Sequence, residues 1–476
     1  MIDGATTLAR RLERYRAALP QVTPPAAIDA RAGGVAAGLA ERLAEAVGGE
    51  VVTTMEGCIV RCEPPSRLLP VDRTRLATLP GQPPADVPLV CLDTETTGLA
   101  TAAGTAAFLI GLGWWVADRF HQVQLLLPDH GEERALLTAL EAAIPPDGWL
   151  VTYNGRGFDW PLLTTRYRLS RRAAPVHAGH LDLLPIVRRL YRHRMPDARL
   201  RTAEAELLGM HRIGDVEGWQ IPGRYLEFLR GGPAEALAEV ARHNDQDVRS
   251  LGWLLAHIET RLGDPSVRSK APPGDLAGLA RAFTRARRLP EALGCLEAAA
   301  DRPAEMGAPV RPALPAAAPP AVRETPDDAP WWSPQRPADF GGRPRRRVSP
   351  SPFGPGSAPV AVAWTIERIA VDRAHLLRRL ERYDDAAEAW TALAAGLGRT
   401  AIVAAVELAK IHEHRRHDRP AALAAAIRGL GTIERRRRLG RPEPALEADL
   451  IRRIGRLRTR VAPLGGRPTA GLGPPA

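Results

Sequence analysis

Cysteine is scarce in this sequence, whose 476 residues contain only Cys58, Cys62, Cys91 and Cys295. The opening segment also lacks the apolar core of a signal peptide, so we expect a reduced, cytoplasmic protein. Cys58 and Cys62 have Cys-x3-Cys spacing, but no second Cys or His pair stands at finger-like spacing. We therefore interpret the two residues as ordinary packed thiols rather than as zinc ligands.

Long apolar runs are also lacking. The longest, "AAFLIGLGWWVA" at residues 106–117, is well short of the roughly 20 residues that a membrane-spanning helix needs. We therefore expect no membrane span and no membrane partner.

Basic residues are in excess, with 65 Lys and Arg against 54 Asp and Glu and a formal net charge of +11. This balance favours a polyanionic partner, because arginines neutralise phosphates and release counterions. Charge alone does not separate a nucleic acid from a membrane surface.

Composition and hydrophobic periodicity divide the chain into five parts. The predicted parts are an N-terminal leader (1–86), an α/β domain (87–262), a first helical hairpin (270–302), a disordered Pro/Ala/Gly-rich linker (303–360) and tetratricopeptide-like helical repeats (361–465). The repeat assignment depends on Ala386 and Ala421, which are about 35 residues apart, close to the ~34-residue tetratricopeptide period. A generic helical bundle is the alternative, because Ala-rich sequence resembles repeats easily.

The α/β domain begins with the apolar strand "VPLVCLD" and continues with "AFLIGLGWWVA" and "RFHQVQLLLP", which we expect to pair as a hairpin. A helix "EERALLTALEAAI", a strand "GWLVTYN" and a helix "WPLLTTRYRL" follow, and "AEALAEVARHNDQDVRSLGWLLAHIETRL" forms a long closing helix. This order predicts a mixed sheet with flanking helices.

Two acidic residues, Asp93 and Glu95, end the first strand of this domain in "CLDTETTGL". Alternate residues of a strand point to the same side, so both carboxylates lie on one face. Such a pair is weak evidence when alone, because it is common at solvated strand ends.

Further acids stand at comparable places. Asp159 opens a helix in "TYNGRGFDWPLL", where a helix-capping role is the plain alternative, and His243 and Asp247 in "RHNDQDV" share one helix face.

If the four acids converge, each close pair repels by about 4 kcal/mol at 4 Å and an effective dielectric near 20. The cluster would then need cations, and two Mg²⁺ or Mn²⁺ ions suit carboxylate ligands and phosphodiester hydrolysis. His243 would serve as general base.

The segments "LDTETTGL", "TYNGRGFDWPLL" and "RHNDQDV" resemble the three motifs of the DEDD exonuclease superfamily, which has the ribonuclease H-like fold. The closer resemblance is to YprB-like bacterial proteins, in which such a domain precedes tetratricopeptide repeats. "GTAAFLIGLG", "HLDLLPIVRRLYRHRMPDARL" and "LLGMHRIGDVEGWQIPGRY" support it.

The resemblance implies a metal-dependent 3′-5′ exonuclease. It assigns the metal ligands to Asp93, Glu95, Asp159 and Asp247 and the general base to His243. It also places Thr96 and Leu99 on the terminal nucleotide, and Asn154 in the loop before Asp159, at a substrate-binding position. Asp182 in "HLDLL" has no fixed ligand assignment in this pattern, and we favour a structural role for it.

One departure from the pattern concerns the base. Related motifs have Tyr-x3-Asp or His-x4-Asp, whereas this chain has His243-x3-Asp247. Because a helix turns about 100° per residue, the imidazole direction can differ from both forms.

Two functions from different classes follow. The first is an exonuclease on single-stranded or frayed DNA or RNA, whose phosphates the basic stretches 166–172 and 188–201 would hold. A solvated basic surface is the alternative for those stretches. The second is a nucleic-acid-binding adaptor with a slow or idle nuclease site, whose helical repeats bind a protein partner.

Overall fold

The computed structural model describes residues 32–98, 104–301 and 358–461. Leu99, the first 31 residues and the predicted linker up to residue 357 lie outside the described residues. By contacts the chain divides into two compact units. In the described part, the first unit comprises residues 32–98, 104–301 and 373–386, and the second comprises 358–372 and 387–461.

The first unit contains a mixed sheet of eight strands in the order β1-β2-β6-β5-β4-β7-β8, with β3 paired to β6. The strands are β1 (Glu50–Thr54), β2 (Gly57–Cys62), β3 (Arg67–Leu68), β4 (Leu89–Thr96), β5 (Ala107–Val116), β6 (Arg119–Leu126), β7 (Trp149–Thr152) and β8 (Gly179–Asp182). Strands β4, β7 and β8 are parallel to one another, and the remaining pairs are antiparallel.

Helices flank the sheet, as the sequence predicts. They are α1 (Ala32–Val47), α2 (Arg73–Ala77), α3 (Glu133–Ala143), α4 (Asp159–Leu169), α5 (Leu183–Tyr191), α6 (Leu200–Ala203), α7 (Ile221–Leu229), α8 (Glu235–Ile258), α9 (Pro265–Arg268), α10 (Pro273–Arg285) and α11 (Leu289–Ala300). The predicted hairpin is β5–β6, with Leu109 opposite Leu126 and Val116 opposite Arg119. The long closing helix is α8.

The sheet begins earlier than the predicted domain boundary at residue 87. Within the predicted leader, α1 packs on β1 and β2, and β2 pairs with β6 between Val60 and Leu126. The physical reason is the edge of the sheet: β6 would otherwise expose unpaired backbone groups, and β2 and β3 satisfy them. The predicted leader is therefore partly an extension of the α/β domain.

The C-terminal region is helical, as predicted. Its described helices are α12 (Ala358–Arg379), α13 (Tyr383–Ala394), α14 (Arg399–His414), α15 (Arg419–Arg438) and α16 (Pro444–Val461). In the second unit α14 packs on α15 and α15 on α16. The carboxylate of Glu413 on α14 accepts hydrogen bonds from Arg453 and Arg456 on α16, at 2.6 and 2.8 Å, and ties these helices together.

The two small residues of the predicted repeat match differ in burial. Ala386 is buried, as expected of a residue in a helix contact, but Ala421 is only half-buried. Its neighbour Ala422 is buried. The tetratricopeptide assignment stays a prediction. No helix among the described residues is long and apolar enough to cross a membrane.

The parallel strands place three loops at one edge of the sheet, because carboxyl ends of parallel strands meet there. Asp182 ties two of them together. Its Oδ1 accepts from the amide of Leu184 at 3.0 Å, which caps α5, and from the amide of Asn154 at 2.8 Å. Its Oδ2 accepts from the amide of Arg156 at 3.3 Å. The loop that leads to Asp159 is thus fixed from the neighbouring strand.

Replacing Asp182 by Ala should lower the free energy of unfolding of the first unit by about 2 kcal/mol, because it removes a helix cap and leaves loop amides without acceptors. Thermal unfolding followed by circular dichroism measures this. Glu217→Ala is the matched control in the same unit, since its pair with Arg201 at 3.3 Å is exposed and contributes little. Equal melting temperatures for the two variants would contradict the role given to Asp182.

Candidate metal centre

Asp93 and Glu95 lie half-buried on one side of β4, as the alternation predicts, while Thr94 and Thr96 are buried on the other. The strand continues through Thr96, so both acids belong to the strand rather than to a turn. Its pairing with β5 shifts register between Glu95 and Thr96. The irregularity comes directly after the second acid, where the strand leaves the sheet.

Asp159 is the first residue of α4 and is 5% exposed. The hydroxyl of Thr94 donates to its Oδ1 at 2.5 Å, which holds the start of α4 against β4. Asp159 therefore does not cap α4 at the protein surface. It is a buried carboxyl group held beside the strand that carries Asp93 and Glu95.

Helix α8 supplies His243 and Asp247. The imidazole Nε2 of His243 lies 3.7 Å from Asp247 Oδ2 and 4.0 Å from Glu95 Oε1. One donor atom from each of these three residues lies within 4.8 Å of the other two, an arrangement compatible with one metal ion. Asp93 and Asp159 are outside this tight group but interact electrostatically with its members.

Asn244, the residue after His243, is fully buried and positions Asp93. Its Nδ2 donates to Asp93 Oδ2 at 2.9 Å, and its Oδ1 accepts from Gln124 Nε2 at 3.0 Å. The amide lies over Gly111 of β5, where a Cβ atom would come within 2.1 Å of Asn244 Oδ1. The glycine in this strand therefore makes the room in which Asn244 reaches Asp93.

Sequence reasoning missed three residues of this site: Glu204, Arg212 and Asp215. The guanidinium of Arg212 binds Glu204 through two hydrogen bonds, of 2.6 and 2.7 Å, and also donates to Asp247 and, at 3.0 Å, to Asp215. Arg212 and Asp215 lie in the quoted segment "LLGMHRIGDVEGWQIPGRY". Nothing in their spacing points to the site, because only the fold brings them to α8.

Asp215 orients the histidine. Nδ1 of His243 lies 2.8 and 2.9 Å from its two carboxylate oxygens. Burial opposes ionisation of Asp215, but hydrogen bonds from His243 and Arg212 outweigh this and lower its pKa below the usual value. An ionised carboxylate only accepts hydrogen bonds, so Nδ1 carries a hydrogen, and Nε2 is the nitrogen that faces Glu95 and Asp247.

The acids repel one another and are poorly hydrated. Burial raises the pKa of Asp93 and of Glu95 well above their usual values, and the neighbouring carboxylates raise both further. Burial also raises the pKa of Asp159 to about 6, although the hydrogen bond from Thr94 lowers it in part. For Asp247, burial raises the pKa against the opposing effects of Arg212 and His243.

The donor set fits divalent cations. Six carboxyl groups, those of Asp93, Glu95, Asp159, Glu204, Asp215 and Asp247, meet here. Among the described residues, the basic groups that contact these acids are the guanidinium of Arg212 and the imidazole of His243. Buried carboxylates in such excess must take up protons or bind cations. Hard oxygen donors are those that Mg²⁺ and Mn²⁺ prefer.

Comparisons with known proteins agree with this geometry. A family model described as the RNase H superfamily matches residues 90–259, which include all of β4 except Leu89, and the whole of α4 and α8 with their site residues. Residues 90–259 form an RNase H superfamily domain. A stretch of 176 residues is also 40% identical to the "Uncharacterized protein YprB" of Bacillus subtilis (strain 168). That match covers 37% of this chain and 42% of the relative, so it spans less than half of either protein.

Thr96 and Asn154, two of the predicted substrate-binding residues, lie in the described part of the RNase H superfamily domain. Thr96 is buried and its hydroxyl donates to the carbonyl of Gly98 at 2.6 Å. Asn154 is exposed and has a left-handed φ of 69°, which Asn adopts more readily than most residues. Asp182 has the structural role that we favoured. Nucleotide contacts by Thr96, Leu99 and Asn154 stay predictions.

Several arginines of the two predicted basic stretches are engaged in ion pairs. Arg166 makes two hydrogen bonds of 2.5 Å to Glu133, and Arg172 donates to Glu141 at 2.6 Å. Arg194 makes two hydrogen bonds, of 3.1 and 3.0 Å, to Asp275. These arginines form ion pairs within the folded domain. The two stretches are therefore weaker evidence for a phosphate-binding surface.

Without metal, the stability of the RNase H superfamily domain should fall as pH rises through about 6. Asp159 has a raised pKa in the folded protein, so the folded state holds its proton more tightly than the unfolded chain between about pH 4 and 6. The stabilisation is complete below pH 4 and lost above pH 6. Asp159→Asn should reduce the change in the free energy of unfolding between about pH 4 and pH 6 by on the order of 3 kcal/mol. Melting curves in chelator across this range measure it, and parallel curves for the two proteins would contradict it.

Replacing Gly111 by Ala should lower the free energy of unfolding by about 1–3 kcal/mol, because the methyl group collides with Asn244. Gly223→Ala on α7 is the matched control, since a Cβ atom there meets nothing within 4 Å. That substitution should stabilise slightly through helix propensity. Thermal unfolding compares the two variants, and opposite signs are expected. A loss for Gly223→Ala equal to that for Gly111→Ala would contradict the collision.

Proposed function

We propose that the RNase H superfamily domain is a metal-dependent 3′-5′ exonuclease of the DEDD type. It hydrolyses phosphodiester bonds of single-stranded or frayed nucleic acid with two divalent ions, Mg²⁺ or Mn²⁺. The observation that supports this most is the meeting of acids from β4, α4 and α8 in one place. Three separate segments supply the buried carboxyl groups, and their pKa values are raised.

Asp93, Glu95, Asp159 and Asp247 are the proposed metal ligands. Hydrogen bonds hold particular oxygens of three of them: Thr94 donates to Asp159 Oδ1, Asn244 to Asp93 Oδ2, and Arg212 to Asp247 Oδ1. These bonds fix the direction of each carboxylate before any ion binds, which limits the reorganisation needed on binding. Bound ions supply a nucleophilic water near neutral pH and stabilise charge on the phosphate.

The neighbouring residues would position the end of the nucleic acid. In the proposed site Thr96 and Leu99 contact the terminal nucleotide and Asn154 orders the loop beside it. Contacts to phosphate and sugar do not read sequence, so we expect little sequence preference. His243 is the proposed general base, and its Nε2 lies 4.0 Å from Glu95 Oε1 and 3.7 Å from Asp247 Oδ2.

The decisive experiment compares linear and circular single strands with Mn²⁺. A 5′-labelled linear DNA or RNA should be shortened stepwise from its 3′ end, and a closed circle of the same sequence should stay intact. Asp93→Asn should slow shortening by about 10²-fold or more, because loss of a metal ligand removes several kcal/mol of transition-state stabilisation.

Asp245→Asn is the matched control for this loss. Asp245 is on the same helix but forms an ion pair with Arg249 and faces away from the acids, so its replacement should leave the rate unchanged. Absence of any Asp93-dependent shortening would contradict the proposal. Cleavage of the circle would indicate an internally cutting ribonuclease instead, and the DNA and RNA substrates would show which polymer is preferred.

A protein-binding role for the C-terminal helices is the second proposal. Its support is the stacking of successive antiparallel helices α14, α15 and α16, since such arrays present broad surfaces to partners. A chain that binds nucleic acid and retains a protein partner, but cleaves nothing with Mn²⁺, would favour an adaptor over an exonuclease.

A further inference from the structure

We propose that His243 is itself a metal ligand, through Nε2, beside Glu95 and Asp247. The ion at this position is then a first-row transition metal rather than Mg²⁺. This rests on the proposed function only in assuming that the acids hold metal. It replaces the general-base role predicted for His243 and assigns Asp215 a part in metal binding.

The nitrogen of His243 that faces the acids is Nε2. Nδ1 of His243 lies nearer to the two Asp215 oxygens, at 2.8 and 2.9 Å, than to Arg212 Nη1, at 3.3 Å, so the carboxylate is its hydrogen-bond partner. Asp215 receives the Nδ1 hydrogen at 2.8 Å. In the neutral imidazole, the form that binds metals, Nε2 is then the nitrogen without a hydrogen.

The distances from Nε2 of His243 to the two acids are short enough for a shared ion. Two donors that each lie about 2.1 Å from one ion are separated by no more than about 4.2 Å. Nε2 lies 3.7 Å from Asp247 Oδ2 and 4.0 Å from Glu95 Oε1, inside that limit on both sides. The spacing of His243 and Asp247, four residues apart on α8, is what brings their donor atoms together on one helix face.

The two carboxylate oxygens of Asp247 have different partners. Arg212 donates to Oδ1, and Oδ2 faces His243. The guanidinium therefore occupies one oxygen and leaves the other on the side of Nε2. Arg212 itself is fixed by buried Glu204 through two hydrogen bonds, so this orientation of Asp247 is set by the fold.

Asp215 completes a carboxylate–histidine–metal arrangement, in which the second carboxylate fixes the tautomer and the direction of the ring. It is thus a positioning residue. The mixed donor set decides the class of ion: Mg²⁺ takes oxygen ligands, whereas an imidazole nitrogen raises affinity for first-row transition metals.

The test uses the full chain without nucleic acid and Mn²⁺ as the probe. Pulsed electron paramagnetic resonance should detect coupling of bound Mn²⁺ to a directly coordinated ¹⁴N, shifted by labelling histidine with ¹⁵N. His243→Ala should abolish the coupling. His130→Ala is the matched control, because His130 is exposed and outside the site, and it should keep the signal.

Affinity provides the second measurement. His243→Ala should weaken Mn²⁺ binding more than Mg²⁺ binding, and Asp215→Ala should weaken Mn²⁺ binding about 10- to 100-fold. Asp215→Glu should recover part of that loss if the carboxylate acts on the ring. Melting curves of each variant establish that it is folded before the affinities are compared.

The outcomes separate this inference from the exonuclease proposal. Bound Mn²⁺ without nitrogen coupling, together with slow hydrolysis by His243→Ala, would overturn the inference and leave His243 as a base. Nitrogen coupling that His243→Ala removes, in a protein that cleaves nothing, would uphold the inference and overturn the exonuclease. Failure to bind Mn²⁺ at all would overturn both.

Discussion

Repulsion among buried carboxyl groups is the constraint on which the rest of this domain depends. Asp93, Glu95, Asp159 and Asp247 come from three segments, and burial makes each of them hard to ionise. The charges of the other acids add to this effect for Asp93 and Glu95. Such a group is stable only when neighbouring atoms hold each carboxylate or a cation neutralises it. The hydrogen bonds from Thr94, Asn244 and Arg212 do part of this. The remaining negative charge is what gives the site its capacity for metal ions.

The fold meets this constraint through close packing of α8 against the sheet. Asn244 reaches Asp93 because β5 has a glycine, Gly111, directly beneath it. Gln124 on β6 then fixes the amide by donating to its oxygen and to the carbonyl of Ala241. A side chain at position 111 would separate helix and strand and would loosen the group that holds Asp93. The conformational freedom of glycine is not needed here; its lack of volume is.

Local patterns of the sequence, strand alternation and helical spacing, predicted part of the site. Residues that only the fold brings to the site were missed. Strand alternation was enough to put Asp93 and Glu95 on one face, and helical spacing was enough to do so for His243 and Asp247. Apolar runs predicted the β5–β6 hairpin and α8. Glu204, Arg212 and Asp215 contact α8 across 28 to 46 residues of chain, and no local period marks such contacts. The strands β1 to β3 were missed for a similar reason, because their role is to cover an edge formed far along the chain.

The spacing of His243 and Asp247 shows how far such reasoning extends. Four residues along a helix place the imidazole and the carboxylate on one face, but the ring can present either nitrogen to its neighbour. That choice is made by Asp215, which accepts the Nδ1 hydrogen from a loop that the spacing does not describe. Since Arg212 lies in the same loop and holds Asp247, one short segment sets both the imidazole and the last acid of the site. The loop between Gly209 and Gln220 is therefore as much a part of the site as the strand that carries Asp93, although it contributes none of the predicted ligands.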